Sequence, residues 1–310
     1  MTGCTIYAEE CAGGISGWKQ YDSGSNLNVD ACAVYAGQYA GGIAGKYYGR
    51  SSDLQIYNTG VRNTLVGRTA DEYPAVRKTE TPGDNGEAAV SYRVEWASGP
   101  DGLGSKATEY AGGISGFSSG IGTRSLYVDD SVAVRGGRYV GGMFGRCDGG
   151  QHFRFGTGAA VKAGSYAGGF AGLLTGYGTS PEEGYVFVKP VTSISRGYIA
   201  GSVEATDGYA GGIAGMYEAG ERRKDPETGA QLPDQETGYT ERMVNENYYQ
   251  ILLAMDKIDG KSGAWTSILV NYAQETDASR WDNPKNLSDA VKYLRVYGGM
   301  ELKPRGRTVA

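Results

Sequence analysis

Residues 110–116 read YAGGISG, residues 139–145 read YVGGMFG and residues 166–172 read YAGGFAG. The same element stands at 39–45 and 209–215 as YAGGIAG, and at 11–17 as CAGGISG. Between first residues the six copies are 28, 71, 29, 27 and 43 positions apart. A recurring interval of 27 to 29 residues is the mark of a repeat architecture, whose units bury their apolar faces on one another. The two longer intervals read as the same unit carrying insertions, with Gly60–Gly67 a candidate for one degenerate extra copy.

Each copy is flanked by short alternating runs. Upstream stand Ser131-Val132-Ala133-Val134-Arg135 and Cys32-Ala33-Val34-Tyr35; downstream stand Leu126-Tyr127-Val128 and Leu54-Gln55-Ile56. Period-two alternation broken by glycine and serine is strand chemistry, and no helical apolar period appears within the repeats. The pattern predicts a mainly β chain: a parallel β-solenoid (β-helix) of roughly 28-residue repeats over residues 1–218, with insertions near 68–102 and 173–200. Residues 68–88 read as an inserted loop.

Aligning the copies predicts what stacks. Ile15, Ile43, Ile114, Met143, Phe170 and Ile213 form an apolar column. Cys11, Tyr39, Tyr110, Tyr139, Tyr166 and Tyr209 form the motif's first column. Five residues earlier come Ile6, Val34, Ser105, Val134, Val161 and Glu204, and one further on the outward set Tyr7, Tyr35, Lys106, Arg135, Lys162 and Ala205. Three glycines per copy call for either a positive-φ corner or a close backbone approach between stacked units.

After Gly215 the character changes. Residues 219–240 are charged and proline-containing and read as a loop or linker; residues 241–310 read as a mixed, partly helical C-terminal cap or small domain. Met243, Val244, Tyr248, Ile251, Leu252, Met255 and Ile258 fall at helical spacing, with Gly260 as a stop. A second helix is expected after Asn286 or Ser288, ending at Gly298-Gly299. Such a cap would cover open strand edges at the end of the stack.

Composition narrows the chemistry. Fifty-two glycines in 310 residues are about 17%, against an average of about 7%, but without a three-residue period, which excludes collagen. The formal net charge of −5 carries no basic surplus to favour nucleic acid. No stretch approaches the roughly 20 apolar residues of a spanning helix, so direct membrane insertion is not expected. The start, Met1-Thr2-Gly3-Cys4, carries no visible export signal. His152 is the only histidine, and four cysteines lack the paired spacing of zinc sites, so no metal and no cofactor is expected.

Candidate groups divide into packing and function. Cys4 and Cys32 share a column, where strands about 4.8 Å apart would permit a disulfide; two stacked thiols are the other reading. Asp129-Asp130 and Asp22 are available carboxylates, but adjacent strand residues face opposite ways and make a poor acid–base pair. Cys147-Asp148-Gly149-Gly150 and Asp84-Asn85-Gly86 read as turns. Tyr7 and Tyr35 in the outward column, with Tyr47, Tyr48 and Tyr217 after their motifs, would make a flat face able to stack on sugar rings.

YAGGIAG, YVGGMFG and YAGGFAG resemble the GLUG repeat of bacterial surface and secreted proteins, over roughly residues 1–218. The resemblance implies a repetitive β architecture, an extracellular or cell-surface location and glycans or proteins of a host or bacterial surface as partners. Some relatives in that family are immunoglobulin A peptidases with a zinc HExxH site; this sequence has none, so that activity is not carried over. The expected function is a non-enzymatic structural or adhesive segment. The rivals are a glycan-binding module using the exposed tyrosines and a carbohydrate-active enzyme on a β-helix.

Overall fold

A computed structural model describes residues 1–20, 24–49, 54–82, 88–99, 104, 106–175, 192–218 and 252–262. The described chain is mainly β, with long parallel sheets and no helix. Its organisation follows the repeat. The motif strands are β2 (Cys11–Gly13), β7 (Tyr39–Gly41), β13 (Tyr110–Gly112), β17 (Tyr139–Gly141), β21 (Tyr166–Gly168) and the end of β23 (Thr192–Gly211). Each pairs parallel and in register with its equivalent in the next unit, so that Cys11, Tyr39, Tyr110, Tyr139, Tyr166 and Tyr209 form one file.

Three further parallel ladders run beside this one. Before the motif come β1 (Thr5–Ala8), β6 (Ala33–Ala36), β10 (Leu65–Gly67), β16 (Ala133–Gly136), β20 (Ala160–Ala163) and the middle of β23. After it come β3 (Ser16–Gln20), β8 (Ala44–Tyr48), β14 (Ser115–Ser119), β18 (Phe144–Asp148), β22 (Ala171–Thr175) and β24 (Ala214–Glu218). The fourth joins β4 (Gly24–Ser25) and β5 (Asn28–Asp30) to β9 (Leu54–Arg62), β15 (Gly122–Val128), β19 (Gly150–Thr157) and the start of β23.

The four ladders share one buried core. Ile43, Ile114, Met143, Phe170 and Ile213 are all fully buried, as the aligned column predicts, while Ile15 of the same column is exposed. Val34, Val66, Val134, Val161 and Val203 form a second buried column. Two positions in this column differ from those counted back from the motif. Val66, not Ser105, represents the Tyr110 unit, because the insertion falls between pre-motif strand and motif; Gly60–Gly67 is therefore part of that unit and not an extra copy. Val203, not Glu204, faces Val161, because one extra residue separates it from Tyr209; Glu204 instead pairs with Lys162 in a 2.9 Å ion pair.

The glycines choose between the two roles left open by sequence. None of the eighteen motif glycines has positive φ. They are instead sites of backbone contact: a Cβ on Gly112 would lie 2.6 Å from Gly145 N, and one on Gly45 would lie 2.6 Å from Gly17 O. Left-handed corners fall elsewhere, at Asn26, Asn58, Ser125 and Arg154 (φ 50° to 59°), which sit between in-register pairs of the fourth ladder. Asparagine adopts this conformation more readily than most residues.

Other expectations also change. The inserted segment is not a loop but an antiparallel hairpin, β11 (Glu72–Pro82) and β12 (Ala88–Ser98). Its base is fastened by Arg135, which pairs with Glu72 and lies 4.3 Å from the Trp96 ring centre. We expect Arg135→Ala to accelerate proteolytic cleavage within 72–98 while the strand signal in circular dichroism stays unchanged, since β16 keeps its ladder partners. In the second insertion, Leu173–Thr175 belong to β22 and Thr192–Ala200 to β23, both ladder strands; residues 176–191 lie outside the described residues. The helix expected around Leu252, Met255 and Ile258 is replaced by β25 (Leu252–Ser262), paired parallel with β23. Backbone pairing with an exposed edge outweighs a local apolar period there. The remainder of 241–310, the second helix and the 219–240 linker lie outside the described residues.

Candidate functional site

The side chains with chemical potential gather in three places: the tyrosine file, the aromatic end beside Lys46, and a buried histidine–cysteine pair. The file follows directly from the repeat. Parallel in-register pairing carries each motif tyrosine to its equivalent one strand away, so the rings stack. Centroids are 4.9 Å apart for Tyr39–Tyr110, 5.2 Å for Tyr110–Tyr139, 5.1 Å for Tyr139–Tyr166 and 5.9 Å for Tyr166–Tyr209. Burial pushes the Tyr110 phenol up to about 12, with the Glu109 carboxylate adding to the effect, so it stays neutral at ordinary pH. The faces of these rings are spent on each other.

Beside the file, Trp18, Lys46, Phe117 and Arg146 occupy one column of the third ladder. The Lys46 ammonium lies 4.2 Å from the Tyr39 ring centre and 5.2 Å from that of Trp18, and pairs with Glu10 at 2.7 Å. Burial is the largest single influence on Lys46 and works against its charge, but the hydrogen bond to Glu10 and the electrostatic pull of Cys11, Tyr39 and Glu10 together outweigh it, and its pKa is raised. Lys46 in turn lowers that of Glu10. Trp18 is 50% exposed and 5.9 Å from Tyr48. This column is absent from those predicted by aligning the copies, although its position, one residue past the motif's last glycine, is readable in every copy.

Among the described residues, the tyrosines expected from sequence do not share one exposed face. Tyr7 is 58% exposed and stacks on Tyr35 at 5.6 Å, but Tyr35 is buried, with Tyr73 of the hairpin 5.8 Å away. Tyr47 is fully buried, because its strand position points inward, whereas Tyr48, the next residue, is half-buried against Trp18 and Phe117. The side chain of Tyr217 lies outside the described residues. Cys4 and Cys32 are neighbours in register, yet both thiols are free. The Cys32 thiol donates to the Asp30 carbonyl at 3.3 Å and that of Cys4 to the Thr2 carbonyl at 3.5 Å. Parallel equivalents aim their Cβ atoms the same way, whereas a disulfide needs them to converge.

Cys147 is not in a turn but on β18, fully buried, with its Sγ 3.1 Å from His152 Nε2. The opposite ring nitrogen is 2.9 Å from Thr123 Oγ1, and Phe144 and Phe170 flank the imidazole. Sequence did not reveal this pair, since Cys147 and His152 belong to different ladders. Burial lowers the His152 pKa to about 4 and raises that of Cys147 well above the usual thiol value, with Asp148 adding to the latter. A nucleophilic cysteine needs the opposite shift and a route for substrate. The arrangement suits core packing with satisfied polar atoms.

This burial has a pH signature. The folded state favours neutral imidazole, so the stabilisation is complete above the unfolded value near 6.5 and is lost as pH falls from there through about 4. The loss amounts to about 3 kcal/mol. Denaturant unfolding between pH 7 and pH 4 should therefore fall less steeply for His152→Gln than for the parent chain.

The Asp129–Asp130 pair sits in a turn, where Ser131 N and Oγ donate to Asp129 Oδ1 at 3.0 and 2.6 Å. Contact with Asp129, and then burial, raise the Asp130 pKa. Asp129 itself is buried, and Asp22 lies outside the described residues. Asp148 is buried, paired with Arg146 at 2.7 Å and bonded to Thr175. Among the described residues, no group of three or more His, Cys, Asp or Glu side chains is placed to hold a metal ion.

No protein-family model, curated protein or solved structure matches this chain.

Proposed function

We propose that the chain is a parallel β-solenoid of GLUG-like repeats, serving as a non-enzymatic structural or adhesive segment of a bacterial surface-exposed or secreted protein. One observation carries this reading: every motif copy pairs in register with the next, and the recurring side chains are spent on neighbouring units. Tyrosine faces stack on tyrosines, and the column of Ile, Met and Phe fills the core. The groups with nucleophilic or acid–base character, Cys147 and His152, are enclosed by that packing. A repeat built this way provides length and stiffness, with recognition left to what projects from it.

The glycan-binding alternative draws support from a different place than the sequence suggested. Trp18, half exposed, with Tyr48 and the Lys46–Glu10 pair beside it, combines an apolar ring with charged hydrogen-bonding groups. Partners would be glycans or proteins of a host or bacterial surface. The deciding experiment titrates the purified chain with a panel of polysaccharides, monitoring tryptophan fluorescence and released reducing sugar. No turnover is expected. Saturable binding abolished by Trp18→Ala would favour the glycan module, and turnover abolished by a single Asp or Glu substitution would overturn the non-enzymatic reading.

A further inference from the structure

The tyrosine file has a chemical consequence that stands independently of the proposed function. Its five rings are carried by equivalent positions of parallel strands, and their planes differ by only 8°, 17°, 13° and 8° along the file. Near-parallel rings on equivalent backbone present equivalent edges to one another, so the carbons ortho to each hydroxyl lie beside those of the next ring. Two phenoxyl radicals generated there would be held as neighbours rather than having to meet by diffusion.

We propose that the file is a site of oxidative cross-linking, in which a peroxidase acting with hydrogen peroxide joins Tyr166 to Tyr209 as an intrachain dityrosine. Tyr209 is 41% exposed and open to an oxidant, and its stacked neighbour Tyr166 is partly exposed, whereas Tyr139 further along is buried. Each phenol gives its O–H hydrogen atom to the oxidised peroxidase. The two radicals form one ortho–ortho carbon–carbon bond, and the two displaced ortho hydrogens return to the phenolic oxygens, restoring both aromatic rings. One peroxide accepts the two hydrogen atoms removed and leaves as two waters. The bond would tie the last motif unit to the one before it, closing a loop from 166 to 209. Tyr7 and Tyr35 are also in register and stacked, at 5.6 Å with planes 16° apart, but Tyr35 is buried as Tyr139 is, so this pair lacks the second accessible phenol.

The test treats the full chain, dilute and folded, with horseradish peroxidase and limiting peroxide, then reads dityrosine fluorescence and maps linked peptides by mass spectrometry. The expected result is one intrachain link, Tyr166–Tyr209, in a product that remains monomeric on a denaturing gel. Tyr209→Phe should remove that link while its circular dichroism matches that of the parent chain, which is the control for folding. A urea-unfolded sample should give a scattered set of links. The proposal is overturned if the folded chain gives that same scattered set, only links between molecules, or a Tyr166 link that persists in Tyr209→Phe.

Discussion

Gly141→Ala is expected to destabilise the chain by about 3 kcal/mol or more, a large effect for adding one methyl group. The new Cβ would stand 2.7 Å from Ala171 Cα and 2.7 Å from Gly172 N, and closer still to the Phe144 carbonyl. All three are backbone atoms, two of them in the next unit, so relief requires separating strands that are hydrogen-bonded in register. Backbone φ is ordinary at this glycine, so conformational strain contributes nothing and the cost is purely steric. Chemical denaturation of the variant against the parent measures it. Val90→Ser, on the exposed hairpin, is the control and should stay within about 0.5 kcal/mol. A Gly141→Ala variant as stable as the parent would mean that the units are further apart than described.

Phe170→Ala is expected to cost roughly 3–5 kcal/mol. Phe170 is fully buried, with its ring 4.8 Å from Phe155, 5.2 Å from Phe144 and 5.3 Å from His152. These neighbours come from two ladders and are held by in-register strands, so they cannot collapse into the space left behind. For a domain of this size each kcal/mol moves the midpoint by about 2–4 °C, and a calorimetric scan should show a drop on the order of 10 °C. The equivalent change at Ile15, the exposed member of the same column, should cost far less. Comparable losses at Ile15 and Phe170 would contradict a shared interior.

Much of this architecture was readable before any coordinates. Six copies of one motif at a recurring interval specify which residues are equivalent, and equivalence alone predicts the buried Ile43-to-Ile213 column and the single file of tyrosines. Alternation specified strand, and the absence of a second histidine removed whole classes of metal site. Reading failed where equivalence was interrupted. Counting backwards from Tyr110 landed on Ser105 because the hairpin enters between strand and motif, and counting back from Tyr209 landed one residue off at Glu204.

The candidate sites were less legible, for a geometric reason. Alternation states that Tyr47 and Tyr48 face opposite ways but not which one faces inward, and only the closed core assigns Tyr47 to it. Tyr35 belongs to the outward column by repeat register, yet the hairpin, whose placement the repeat does not encode, comes to lie against it. Cys147 and His152 meet because the chain turns at Gly149 and Gly150 from one ladder straight into another with both side chains inward, a corner that strand alternation alone does not specify. The repeat itself determined which residues stack along the array, since stacking is a relation between equivalent positions. What lies across the array, and what covers it, depends on how four ladders and an insertion close around the core, and only the tertiary structure decided that.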